Sequence, residues 1–259
     1  MGSVMPFSKI QPEKIADSVT RQIELLILRG ILRPGARLPA ERELADRLGV
    51  SRPTLREALG GLQDRGLLAS RAGAGVFVAD VLGSAFSPAL VQLFARNDAA
   101  VFDTIAFRRD MEGLAAERAA RLGTDSDLKV IDTLFQRMVD AHASRKTSDE
   151  AQLDADFHLS IIEASHNIIL LHMMRSMYDL LREGVFYNRQ VMFQQRLTRE
   201  ALLDQHRQIN TAIQSRDPAG AKRAVAAHLD YVEQSLHDNQ QAELHEQIAQ
   251  QKLQQTTKA

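Results

Sequence analysis

Along residues 1–80 the spacing of apolar positions changes from helical intervals to short runs, and the change outlines a small domain. From Gln11 to Leu28, Ile15, Val19, Ile23, Leu26 and Ile27 recur at intervals of three and four, which gives a helix one buried face. Gly30 and the Arg33-Pro34-Gly35 turn end it. Pro39 precedes a short helix over Ala40–Leu48 with Leu44, Ala45 and Leu48 inward, and Gly49 supplies the residue at which such helices turn. Ser51 then caps another helix, whose Leu55, Ala58, Leu59 and Leu62 face inward while Arg52, Thr54, Arg56 and Glu57 lie at or near the other side. Beyond Gly66, Leu67–Ala69 and Val76–Val78 flank Arg71-Ala72-Gly73-Ala74-Gly75 and predict a β-hairpin. Helix, helix, Gly turn, helix and hairpin is the order of a winged helix-turn-helix, in which the second helix of the turn motif enters the DNA major groove.

The pattern then becomes helical throughout. Residues 81–98 mix Gly83, Ser84, Ser87 and Pro88 with Leu90, Val91, Leu93 and Phe94, and read as a connector that partly packs. Helices are expected near 99–122, 125–144, 149–165, 168–191, 195–216 and 218–240, with Pro218 in the first turn of the last. Residues 241–259 are Gln-rich and could extend the last helix, but read rather as a frayed tail. The expected fold is mainly α: a winged helix-turn-helix at 1–80, the connector, an all-α antiparallel helical bundle at 99–240, and the tail.

Composition fits this outline. Among 259 residues, 44% are hydrophobic, 25% charged and none is Cys, so disulfides and thiolate metal sites are excluded. No apolar run approaches the roughly 18 residues of a membrane span, and the start lacks the layout of a signal peptide, so a cytoplasmic protein without membrane contact is expected. The net charge of −1 conceals an asymmetry: residues 1–80 hold 12 Lys/Arg against 9 Asp/Glu, and the remainder 20 against 24. The excess positive charge coincides with the helix-turn-helix, where DNA contact is expected.

Two segments carry a resemblance. "LRPGARLPAERELADRLGVSRPTLREALGGLQDRGLL" and "AGAGVFV" resemble the DNA-binding domain of GntR-family regulators over about residues 10–80. The resemblance implies that Arg42, Arg52 and Arg56 read operator bases and that Ala72 and Gly73 form the wing tip at the minor groove. Guanidinium forks suit guanine edges, while Ser51, Thr54 and amides at a helix N-terminus suit phosphate. Double-stranded operator DNA is therefore the expected partner. A homodimer is expected with it, since such operators are commonly two-fold related.

In the helical half, Asp154 and His158 lie four residues apart and so share a helix face, which also carries Ile161 and Ile162. His206 sits with Leu202, Ile209 and Ile213, and His228 with Val225 and Val232. Polar groups on apolar faces need partners, and either core hydrogen bonds or a shared metal would supply them. "DADFHLSIIEASHN", with His206 in "DQHRQI" and His228 in "AAHLDYV", resembles the effector domain of the FadR branch of GntR regulators over about residues 99–237. That resemblance implies that Asp154, His158, His206 and His228 bind a divalent metal, zinc first, with nickel or manganese as alternatives.

Arg108, in "VFDTIAFRRDMEGLAAERAA", matches a family position near the ligand pocket, where a guanidinium would hold an effector carboxylate. The competing reading is a salt bridge to Glu112, four residues on. Within the family the chain is most like regulators of small 2-hydroxy and 2-oxo acid use, which makes a glycolate-, lactate- or pyruvate-like acid the expected effector. Citrate or a sugar acid would satisfy the same chemistry. A metal-dependent enzyme fused to a DNA-binding module is the contrasting class. The sequence has no HExxH, nucleophile elbow or phosphate-binding glycine loop, and the chain is expected not to be an enzyme.

Overall fold

The computed structural model describes residues 14–79, 88–95, 97–144, 147–182 and 196–258. The chain forms two compact units, Met1–Gly83 and Ser84–Ala259, each with its own core.

In the first unit, α1 (Ile15–Leu28), α2 (Glu41–Leu48) and α3 (Arg52–Asp64) precede β1 (Leu68–Arg71) and β2 (Gly75–Val78). Val19 and Ile23 of α1 are buried in one cluster with Leu55, Ala58, Leu59 and Leu62 of α3, the inward faces that the spacing predicts. Gly49 ends α2 in the left-handed region at φ 65°, which frees the chain to turn directly into α3. The strands pair antiparallel with Leu68 opposite Val78 and Arg71 opposite Gly75. The Leu32–Leu38 stretch joins the hairpin: Leu38 N donates to Val76 O and Val78 N to Ala36 O, both at 2.9 Å.

The second unit contains α4 (Pro88–Ala95), α5 (Asp98–Leu122), α6 (Asp125–Ala143), α7 (Thr147–Ala164), α8 (Ile168–Arg182), α9 (Arg196–Gln214) and α10 (Pro218–Lys258). The fold is the expected one, mainly helical with a small winged unit. Helix α5 packs along α10 through small side chains, Ala115, Ala116, Ala119 and Ala120 being fully buried. Helix α7 touches α5, α6 and α8, while α9 bridges α5, α6 and α10. Thus α5, α7, α9 and α10 meet around one interior. A capping box starts α6, with Asp127 N donating to Thr124 Oγ1 at 3.2 Å and Thr124 N to Asp127 Oδ2 at 2.8 Å.

Among the described residues, the two ends of this unit are helical. Within the connector, residues 88–95 form α4, whose Val91 and Phe94 pack on the bundle core; residues 81–87 lie outside the described residues. The Gln-rich end is helical to Lys258 rather than frayed. Its Gln, Ala, Glu, Leu and Lys residues are good helix formers with no Gly or Pro to stop them, and bonds such as Gln250 Nε2 to Glu246 Oε1 at 2.9 Å support the exposed turns. The expected helix end at 191 and the start at 195 also lie outside the described residues. No helix among the described residues is long and apolar enough to cross a membrane.

Neighbouring positions in α6 give a direct test of the packing. Ile131 is fully buried, whereas Val130 is half exposed. Ile131→Ala is expected to cost about 2–5 kcal/mol in urea unfolding. Val130→Ala should stay within about 0.5 kcal/mol.

Candidate metal centre and DNA-reading surface

The four donors predicted from sequence converge inside the bundle. One donor atom from each of Asp154, His158, His206 and His228 lies within 4.8 Å of all the others, and all four residues are buried. Asp154 and His158 come from α7, His206 from α9 and His228 from α10. His158 Nε2 is 3.2 Å from His206 Nε2, which in turn is 3.0 Å from Asp154 Oδ1; His158 Nε2 to Asp154 Oδ1 is 3.8 Å. Two ligands each about 2.0–2.2 Å from one ion lie roughly 3–3.5 Å apart at usual coordination angles, so this donor set fits a shared divalent cation. Phe157 walls the site, its ring meeting those of His158 and His206 nearly edge-on at 5.7 and 5.4 Å.

A second layer orients His158 and His228. His158 directs Nδ1 to Glu112 Oε2 at 2.7 Å, and His228 directs Nδ1 to Gln205 Oε1 at 3.0 Å. Each bond leaves the opposite ring nitrogen for the centre, which is the arrangement that orients metal-binding histidines. Burial, reinforced by the neighbouring His206 and His158, pushes His228 well below the usual imidazole value of 6.5. The neutral ring that results is the ligating form.

Glu112 is the hub of this layer. Its Oε1 accepts from Arg108 Nε at 2.6 Å and from Tyr178 Oη at 2.7 Å, and Arg108 Nη2 donates to Tyr178 Oη at 3.1 Å. Burial alone would raise the Glu112 pKa, but Arg108 and His158 outweigh it and hold the carboxyl well below the usual range. Arg108 therefore makes the salt bridge that its spacing allowed, with 1% of its side chain exposed. It is absent from the lining of the small cavity beside His206, which Met138, His142, Glu150, Arg199, Leu203 and His206 form. Tyr178, Gln205, Glu150 and Arg199 escaped the sequence reading. Glu150 had a readable signal, standing four residues before Asp154 as Asp154 stands before His158.

On the winged unit, Ser51 caps α3, its Oγ accepting from Thr54 N at 3.3 Å and lying 2.8 Å from Thr54 Oγ1. Arg42, Arg52 and Arg56 are exposed, the last two a turn apart on α3. Arg56 Nε donates to Glu41 Oε2 at 2.8 Å, an exposed pair that contributes about 0–1 kcal/mol and is easily exchanged. Ala72 and Gly73 form the exposed turn between the strands, where Gly73 takes φ 69°. A Cβ at Gly75, φ 106°, would also meet Arg37 Nε at 3.3 Å.

A winged helix followed in the chain by a bundle of this kind defines a class of bacterial transcription regulators, and comparison with known proteins makes the assignment specific. The family of bacterial regulatory proteins named GntR matches residues 15–78, and the FCD domain matches 103–231. The chain belongs to the GntR family and carries an FCD domain. It is similar to the Glc operon transcriptional activator of Escherichia coli K12, 34% identical over 233 residues that cover 89% of this chain and 92% of the relative. The putative L-lactate dehydrogenase operon regulatory protein of the same organism is 36% identical over 231 residues, 88% of each chain. Among solved structures, a Streptococcus agalactiae GntR protein superimposes with a TM-score of 0.51 at 25% identity, covering 85% of this chain and all of that one. These relatives are regulators, not enzymes.

Removing one member of a buried ion pair leaves the other uncompensated. Glu112→Ala is accordingly expected to destabilise the helical unit by about 3–5 kcal/mol, read by urea unfolding. Arg108→Met combined with Glu112→Leu should cost clearly less.

Proposed function

We propose that this chain is a ligand-responsive regulator of an operon for the use of a small carboxylic acid. The buried convergence of Asp154, His158, His206 and His228, each from an apolar helix face, carries this reading. These residues would hold a divalent metal, with zinc favoured by the imidazole and carboxylate donors and nickel or manganese as alternatives. Bound there, the metal would supply a Lewis-acidic point for a carboxylate or hydroxyl oxygen. Arg108 would act on the effector from behind this layer, through Glu112 and His158.

A 2-hydroxy or 2-oxo acid of the glycolate, lactate or pyruvate type fits these donors, and the operons named for the two Escherichia coli relatives support that class. The winged unit would read operator DNA through Arg42, Arg52 and Arg56, with Ser51 and Thr54 at phosphate and Ala72 and Gly73 in the minor groove. A cytoplasmic homodimer is part of the same proposal, since each half-site needs its own reading helix.

Two measurements test it separately. Elemental analysis should find stoichiometric metal in the unaltered protein and little in His158→Ala, His206→Ala or His228→Ala; a triple His→Ala variant that retains full metal overturns the site. Arg52→Ala and Arg56→Ala should each weaken operator binding by about 1–3 kcal/mol while leaving metal content unchanged. Equal loss on operator and random DNA would place these arginines on phosphate instead.

A further inference from the structure

The cavity beside His206 contains a charged pair with no part in the donor cluster. Glu150, Asp154 and His158 follow one another at four-residue steps along one face of α7, each step rising about 6 Å. Arg199 precedes His206 by seven residues, two turns, on α9. The pair thus continues the donor-bearing faces of both helices outward from the centre. Arg199 Nε donates to Glu150 Oε2 at 2.9 Å, and Nη2 donates to Glu150 Oε1 and to the His142 carbonyl, the latter at 3.0 Å. A planar guanidinium gripping both oxygens of one carboxylate is the geometry with which arginine recognises carboxylic acids.

Both partners are withdrawn from water, with 4% of the Glu150 side chain and 10% of the Arg199 side chain exposed. Such a pair is a poor device for stability, since apolar residues of the same volume commonly serve as well or better. It is a good device for recognition, because the fork is already oriented and desolvated. His142 lies in the last turn of α6, where the free carbonyls favour a cation, so Arg199 keeps one anchor even without Glu150. Arg108 has no place on this cavity.

We propose that Arg199 is the anchor for the effector's carboxylate, and that Glu150 is a built-in stand-in that an incoming acid must displace. The inference rests on the reading of the helical unit as a metal-centred acid sensor and deepens it. The acid's carboxylate takes the fork of Arg199, and its remaining oxygen donors face the donor cluster next to His206. Because a carboxylate replaces a carboxylate, the charge opposite Arg199 is conserved, and uncharged amides of the same acids cannot make the exchange.

The whole 259-residue chain, loaded with zinc, is titrated calorimetrically with glycolate, L-lactate, L-malate, citrate and L-lactamide. Glu150→Gln keeps the side-chain shape and removes the competing charge. It should bind at least one of the four acids at least tenfold more tightly than the unaltered chain, and should not bind L-lactamide. Arg199→Gln alone leaves Glu150 buried without its partner, so Glu150→Gln combined with Arg199→Gln serves as the second variant. It should retain zinc and lose at least tenfold in acid affinity relative to Glu150→Gln. The proposal is overturned if Glu150→Gln binds none of the four acids, if its affinities match those of the unaltered chain, or if the double variant binds as Glu150→Gln does. Zinc content is determined on every sample: its absence from the unaltered chain tells against the metal reading, whereas full zinc with acid binding indifferent to Arg199 tells against this inference alone.

Discussion

The Glu112 carboxylate is the interaction on which the helical unit depends. It sits in the interior and meets Arg108 and Tyr178 with one oxygen and His158 with the other. An apolar bundle can bury an arginine, a glutamate, an aspartate and three imidazoles only if their charges are compensated by one another. Glu112 provides that compensation: it neutralises Arg108 and sets the ring of His158 so that Nε2 faces His206 and Asp154. The donor cluster is therefore a product of α5 as much as of the helices that carry the donors.

The winged unit was legible because its rules are local. The Ser51 cap, the left-handed Gly49 and the three- and four-residue spacing of inward residues in α3 each follow from a few neighbouring positions, and all of them agree. The donor set was legible for a related reason, since a polar residue on an otherwise apolar face stands out at helical spacing. What supports the donors was not. Tyr178 lies 66 positions from Glu112, and Arg199 lies 49 from Glu150, so nothing short of the packed bundle brings them together. Arg108 shows the limit well: the spacing allowed either a ligand contact or a bond to Glu112, and it is the burial of both partners that brings the second about. The C-terminal residues failed differently. Gln-rich composition suggested fraying, yet the same residues have good helix propensity and no breaker, and α10 continues through them.

The two units have separate cores, so a ligand bound in one would act on the other through coupled equilibria. Asp154, His158, His206 and His228 come from three helices, and an acid that bridges them can favour one packing of those helices over another. It shifts operator binding only by the difference in its affinity for the two packings. The Glu150–Arg199 pair, which ties α7 to α9, is a place where such a difference can arise.

By linkage, the factor by which an acid changes operator affinity must equal the factor by which operator DNA changes acid affinity. The most direct measurement determines both on the same zinc-loaded protein, using the tightest-binding small carboxylate. Two equal factors are expected, corresponding to about 1–3 kcal/mol of coupling. An acid that binds the helical unit tightly while its affinity is the same with and without operator DNA would contradict it.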